Sequence, residues 1–317
     1  MTTVVDLRDL SAPIVQAGMG AAARHELAAA VSEAGGLGTI GGARGRIAEE
    51  LAAARKLTGR PIAVNLILHL LRPGDVQAAR DADVIVTFWG EPRRLAPGTW
   101  VHQCGSVEEA RAADAAGADA VIAQGIEAGG HVRGTTPLLD LIESVCAAVK
   151  VPVLAAGGIV EQGDVREALD AGAVAAVLGT RFLLSHESRA HSEYKQRCLQ
   201  ADRTVLTELF GFGWAQAPHR VVPNAATRRW LDADPRGPGW IRTANRLTAP
   251  LVMRVPEAIQ DRALAFQRPW SPFLGPVMAL DDGPRSLLDS GPLYAGANVT
   301  RISDIRPAAQ IVKDLTP

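Results

Sequence analysis

One phrase recurs eight times along this chain: a short β-rich apolar run that ends in glycine or polar residues, usually followed by an alanine-rich stretch. The runs are residues 13–16, 37–40, 62–65, 83–87, 100–103, 119–123, 152–155 and 175–178. Helical spacing or composition fills 24–33, 47–57, 76–81, 107–115, 138–149 and 164–170, with Gly35, Gly117 and Gly172 just past a helix end. Only 91–97 is too short to read as a helix. Alternation of this kind implies a parallel sheet with right-handed crossovers, and near-continuous apolar strands imply burial on both faces. Eight strands predict an α/β fold of the (β/α)8 TIM barrel type. The rival, a doubly wound open sheet, more often holds about five or six strands.

After Ser185 the rhythm changes. Residues 189–202 read as helix, and 204–283 are rich in Pro, Gly and Trp with mixed polarity, which predicts an inserted, mainly helical cap near the C-terminus. Residues 294–315 begin with a glycine turn and end in DIRPAAQIVKDL, the expected eighth barrel helix. The domain reading is therefore a barrel of 1–203 with 284–317, and a cap of 204–283.

Hydrophobic residues make up 47% of the 317, enough for a substantial core. Lysine and arginine total 33 against 34 acidic residues, so the near-neutral chain offers no general attraction for nucleic acid or an anionic membrane. A small-molecule partner is expected. Cys104, Cys146 and Cys198 are far apart and odd in number, which fits neither a disulfide framework nor a zinc site and suggests a reducing cytoplasm. The start MTTVVDLRDL lacks the regions of a signal peptide, and no uncharged apolar run approaches the ~20 residues that span a bilayer.

Gly36-Leu37-Gly38-Thr39-Ile40-Gly41 matches a dinucleotide fingerprint in letters only, because here a helix precedes the glycines and a strand follows. A stronger signal is paired: Ala156-Gly157-Gly158 ends the seventh run and Gly179-Thr180-Arg181 ends the eighth. In barrels those two loops often form a phosphate site, since glycine lets backbone N–H groups approach the oxygens. The alternative is that these glycines only make tight turns.

The sixth run leads into QGIEAGGHVRG, residues 124–134. Gly129 and Gly130 would let the backbone lie close to a flat ligand, with His131 projecting over it, at the end of the barrel where reactive groups sit. His25 starts a helix, His69 and His102 sit near strand ends and could line the mouth, and His186, His191 and His219 fall in or near the cap. Glu127 is either a base or a carboxylate satisfying loop N–H groups. Gln16-Ala17-Gly18-Met19-Gly20 offers small residues and backbone donors suited to the edge of a planar ring, although Met19 also reads as core. Asn65 ends its run with an amide that both donates and accepts. No HExxH, nucleophile elbow or metal spacing is present. The set points to a phosphate-bearing planar cofactor with a histidine above it.

The runs PIVQAGMG, LAAAVSEAGGLGTIGG, PIAVNL, GIEAGGH, VPVLAAGGI and GTRFLLSHES together resemble the FMN-dependent nitronate monooxygenase family, formerly 2-nitropropane dioxygenases. The likeness covers most of 13–200 and continues more loosely in LFGFGWAQAPHRVVPN and GPLYAGANVTRISDIRPAAQIV. It implies an FMN ring near Ala17, Gly18 and Met19, with Asn65 and Gln124 on its polar atoms. Its phosphate would be held by Gly157, Gly158, Gly179 and Thr180, next to Ala156, and His131 matches the family's active-site histidine. Gln103 stands where some relatives carry lysine, and Ala295-Gly296-Ala297 where the motif often reads AGQ. The reaction implied is oxidation of an alkyl nitronate with O2 to a carbonyl compound and nitrite. The same motifs occur in flavin-dependent enoyl-ACP reductases and NAD(P)H:quinone reductases, and a barrel holding another phosphorylated ligand is the non-redox alternative. A homodimer is left open.

Overall fold

The eight apolar runs become the eight strands of one parallel sheet, in a computed structural model that describes residues 5–42, 46–252, 254–255 and 257–317. In chain order the strands are β1 (Ile14–Gln16), β2 (Gly38–Gly41), β3 (Ile62–Ile67), β4 (Val84–Phe88), β5 (Thr99–Cys104), β6 (Ala120–Gln124), β7 (Gly130–His131), β8 (Val153–Ala156), β9 (Ala175–Leu178), β10 (Val205–Thr207), β11 (His219–Val222) and β12 (Leu293–Tyr294). The large sheet runs β1-β9-β8-β6-β5-β4-β3-β2, every neighbour parallel. Its ends meet: Val15 bridges Leu37, with Gln16 N–H donating to Leu37 O and Leu37 N–H to Ile14 O, both at 2.9 Å. The sheet is thus a closed (β/α)8 barrel.

The helices are α1 (His25–Glu33), α2 (Ile47–Leu57), α3 (Asp75–Ala79), α4 (Val107–Ala115), α5 (Leu138–Cys146), α6 (Gln162–Asp170), α7 (Thr180–Leu183), α8 (Ser192–Leu199), α9 (Ala225–Trp230), α10 (Gly239–Val252), α11 (Glu257–Ala265), α12 (Leu287–Ser290) and α13 (Ala308–Leu315). No helix separates β4 from β5, in keeping with the short 91–97 stretch. The C-terminal α13 packs on α1 and α6 and so occupies the eighth helical place. Among the described residues no helix is long and apolar enough to cross a membrane.

The two-residue period of a strand sorts its side chains into two cores. Val15, Ala63, Val84, Val86, Val101 and Ile122 belong to an inner cluster that fills the barrel. Their alternating neighbours face outward: Ile14, Trp100, Val121 and Ala155 pack with α1, α5 and α13, while Val64 and Ile85 pack with α2. The N-terminal segment adds Leu7 to the inner cluster, and Val5 N–H donates to Thr99 Oγ1 at 2.9 Å.

By its contacts the chain divides into two compact units. The barrel unit is Met1–Glu127, Arg133–Arg189 and Asp304–Pro317; the second is Ala128–Val132 and Ala190–Ser303. The second unit therefore reaches beyond the 204–283 insertion expected from composition. Besides helices it holds a four-stranded antiparallel sheet, in which β11 pairs with β10, β12 and β7. Those pairings recruit residues 128–132 and 293–294, and the Tyr194 hydroxyl donates to Tyr294 O at 2.7 Å, tying in α8.

The dinucleotide-like glycines serve packing instead. A Cβ at Gly38 would overlap the backbone of Ala28 in α1, coming within 2.5 Å of its carbonyl carbon. Gly38→Ala is expected to lower unfolding free energy by about 2 kcal/mol or more, read as a reduced urea midpoint. Gly59→Ala, where an added Cβ meets nothing within 4 Å, should leave the midpoint nearly unchanged.

Candidate functional site

Following each inward-facing strand residue two places onward leads to the C-terminal rim of the barrel. Asn65 follows Ala63, Gln103 follows Val101, Gln124 follows Ile122, and Ala17 follows Val15; Ala156 closes β8 within the inner cluster. Three amide side chains thus crown an apolar plug. Amides both donate and accept, which suits the mixed polar edge of a planar heterocycle.

Asn65 donates from Nδ2 to Val86 O at 3.3 Å, and Gln124 accepts Arg133 N–H at 3.1 Å. Gly18 lies against Asn65: an added Cβ would collide with the asparagine Cβ and come within 2.8 Å of its Cγ. Buried Gln16 holds this turn from below, accepting Thr39 N–H at 3.0 Å and donating to Ala17 O. Met19 packs against the outer core, consistent with a filling role.

The two glycine loops follow paired strands, with Ala156 of β8 opposite Val177 of β9, and the Ala17 turn adjoins the second of them. Ala17 N–H donates to Leu178 O at 3.0 Å, and an added Cβ at Gly179 would lie 3.9 Å from the Ala17 side chain. Gly157 (φ 128°) and Gly158 (φ 70°) adopt left-handed backbone that favours glycine, and Gly179 with Thr180 opens α7. Arg181 is not part of a phosphate grip, because its guanidinium pairs with Asp304 Oδ1 at 2.9 Å and donates to Leu184 O and Asp304 O. Amide ring, side-chain-free turn and left-handed glycine loop together fit a phosphate-bearing planar group, with backbone N–H groups as the anion donors.

His131 belongs to the second unit. It pairs with His219 across β7 and β11, and Val132 N–H donates to Pro218 O at 2.8 Å. Its ring stacks on Trp214 with centroids 3.8 Å apart and planes 23° apart, lies edge-on to His219 at 5.3 Å and is tilted against Tyr294 at 5.5 Å. Burial, and secondarily His219, pushes its pKa well below the usual histidine value. His219 is fully satisfied as a neutral ring: Nδ1 donates to Ala217 O at 2.9 Å and Nε2 accepts Phe210 N–H at 3.3 Å. Burial lowers it to about 4. Composition places Trp214 and His219 only in the cap, Trp214 as pocket lining or cap core, and does not mark Tyr294; strand pairing between distant segments is what gathers the three around His131.

Several sequence candidates have structural explanations. Glu127 accepts Leu138 N–H at 3.1 Å, satisfying the start of α5. Gly129 is required by protein packing, since its Cβ would come within 2.5 Å of the Ala295–Gly296 backbone, whereas Gly130 (φ 71°) has open space. His102 points away from Gln103, bonded to Thr87 Oγ1 at 2.7 Å with Trp100 Nε1 donating to the same oxygen, so it does not line the mouth. His25, Glu26 and Glu50 cluster closely, but Glu50 accepts His25 N–H at 3.0 Å and meets its ring at 2.6 Å, as a cap on α1.

The sequence profile of the nitronate monooxygenase family matches residues 2–92 and 93–317. A nitronate monooxygenase of Pseudomonas aeruginosa is 34% identical over 285 residues, covering 69% of this chain and 80% of its own length. A 5-hydroxy-7a-methyl-1-oxo-octahydro-1H-indene-4-carboxyl-CoA dehydrogenase of Mycobacterium tuberculosis is also 34% identical, over 238 residues, covering 70% of this chain and 66% of its own. The solved structure of FabK from Thermotoga maritima superimposes with a TM-score of 0.76 at 30% identity, covering 98% of this chain and 93% of that one.

Two buried histidines set an acid limit on stability. His102 and His219 both titrate at about 4 when folded, against an ordinary 6.5. The unfolded chain therefore takes up these protons first, and stability falls as pH drops from about 6.5 towards 4. At about pH 5 each histidine costs roughly 2 kcal/mol. His219→Gln should lose less stability between about pH 7.5 and 5 than the parent, as read by urea midpoints; an unchanged acid slope would contradict a neutral His219.

Proposed function

The chain belongs to the nitronate monooxygenase family of flavin-dependent oxidoreductases, and on that premise we propose that it binds FMN and oxidises alkyl nitronates with O2 to carbonyl compounds and nitrite. Asn65, Gln103 and Gln124 would hold the polar edge of the ring. Ala17 and Gly18 would give it a surface free of bulky side chains. The backbone of Ala156, Gly157, Gly158, Gly179 and Thr180 would hold the phosphate. When bound there, FMN would supply the redox chemistry between nitronate and O2.

The observation that carries the substrate reading is the state of His131. An imidazole pushed well below its usual pKa by burial is neutral and a weak base. It is poorly suited to pull a proton from a neutral nitroalkane. It is well suited to donate a hydrogen bond to an oxygen of a nitronate that arrives already ionised. Trp214, stacked on one face of the ring, fixes its plane, so the N–H points in one direction.

The expected pH behaviour follows. With preformed nitronate, kcat/KM should show no limb near the ordinary histidine pKa, because the free protein's His131 is neutral on both sides of it. A limb near about 6.5 would reassign the ring as a titrating base. His131→Ala should keep flavin and lose roughly 10- to 100-fold in nitronate turnover, the worth of one hydrogen bond to a charged group; full turnover would remove the histidine from the mechanism.

The equally similar carboxyl-CoA dehydrogenase, named for a CoA thioester, favours thioesters, and the second reading we propose is a flavin reductase of enoyl thioesters or quinones that uses NAD(P)H. Anaerobic stopped-flow mixing separates the two. Fast bleaching of the flavin by propionate 3-nitronate, with NADH and NADPH inert, is the expected result. Fast bleaching by a nucleotide, with nitronate inert, would establish the reductase instead.

A further inference from the structure

Large apolar side chains that are exposed are concentrated in one stretch of the chain. Of nine that are exposed among the described residues, seven lie between Trp240 and Phe273 in the second unit. Trp240, Leu247 and Leu251 of α10 are 57%, 69% and 62% exposed. Spacings of seven and eleven residues bring them back to one helical face within about 20°. The opposite side of the same helix buries Ile241 and Asn245, so α10 is seated by one face and presents the other.

Ile259 of α11 is 59% exposed, and Gln260 of that helix donates to Val252 O and Val255 O at 2.7 and 2.8 Å, linking it to the end of α10. Just beyond, Phe266, Trp270 and Phe273 stand 65%, 67% and 44% exposed around a shallow trough of about 250 Å³.

Charge accompanies them. Residues 239–273 carry five arginines and two acidic residues in a chain whose formal net charge is -1. Arg246, Arg254, Arg262 and Arg268 are exposed, and the first three form no ion pair among the described residues. The near-neutral whole-chain balance conceals this local excess.

We propose that this face of α10, α11 and the 266–273 segment docks on an anionic lipid surface. Apolar side chains that are 44% to 69% exposed suit insertion into the fluid boundary between headgroups and acyl chains, as interfacial amphipathic helices do. Interspersed arginines meet the lipid phosphates. A second copy of the chain fits less well, because a two-fold contact sets the face against itself and opposes like charges. A protein partner would need pockets to receive these protruding rings, whereas a bilayer needs none.

The test is co-sedimentation of the full flavin-loaded protein with vesicles of phosphatidylglycerol and phosphatidylcholine, and with phosphatidylcholine alone. Binding to the anionic vesicles only, weakened by salt, is expected. The pair Arg246→Gln and Arg262→Gln should weaken it roughly 30-fold, and Phe266→Ser with Trp270→Ser should abolish it. Leu139→Ser, at an exposed leucine of the barrel unit, should leave it unchanged. Far-ultraviolet circular dichroism identical to the parent's confirms that each variant is folded. No binding by the parent, or binding that the four face substitutions leave intact, overturns the proposal. So does light scattering that shows a dimer broken by the same substitutions, which assigns the face to a second copy.

Discussion

The backbone hydrogen bonds that join Ile14 and Gln16 to Leu37 turn a parallel sheet into a barrel, and the candidate cofactor site depends on that closure. Closure does two things at once. It forces alternate residues inward to fill the lumen, and it brings the C-terminal ends of distant strands to one rim. The inward register that buries Ala63, Val101 and Ile122 delivers Asn65, Gln103 and Gln124 to the rim without further instruction. Moving any of these three by one residue would send its amide to the outer face, where Thr87, Trp100 and His102 already form a dry network.

A different constraint governs His131. Its neighbours are aromatic, and its partner His219 is held neutral by two backbone groups. Charging the imidazole in that setting is costly, so the environment selects the neutral form and with it the role of donor over base. The chemistry assigned to the histidine therefore comes from the antiparallel sheet around it more than from the glycines that precede it. Gly129 illustrates the point: its missing side chain is explained by the backbone of Ala295 and Gly296.

Each unit has its own character. The barrel unit carries the rim proposed to hold a planar, phosphate-bearing cofactor. The second unit holds a neutral histidine among aromatic rings and carries exposed apolar and basic residues between Trp240 and Phe273.

The barrel was legible in the sequence because its signals are local. Each buried parallel strand is a continuous apolar run, each helix has its own spacing, and glycine marks the turns between them. The rim residues were legible for the same reason, being the polar letters that end those runs. The unit boundaries and the surroundings of His131 were not. Residues 128–132 belong with 190–303 because β7 pairs with β11, and a two-residue strand carries no periodicity to announce it. Glu127 reads in sequence as either a base or a carboxylate satisfying loop N–H groups, and the fold shows it accepting the Leu138 N–H at the start of α5. Local pattern determines which elements form; pairing between distant segments, which no window of sequence contains, decides which side chains meet.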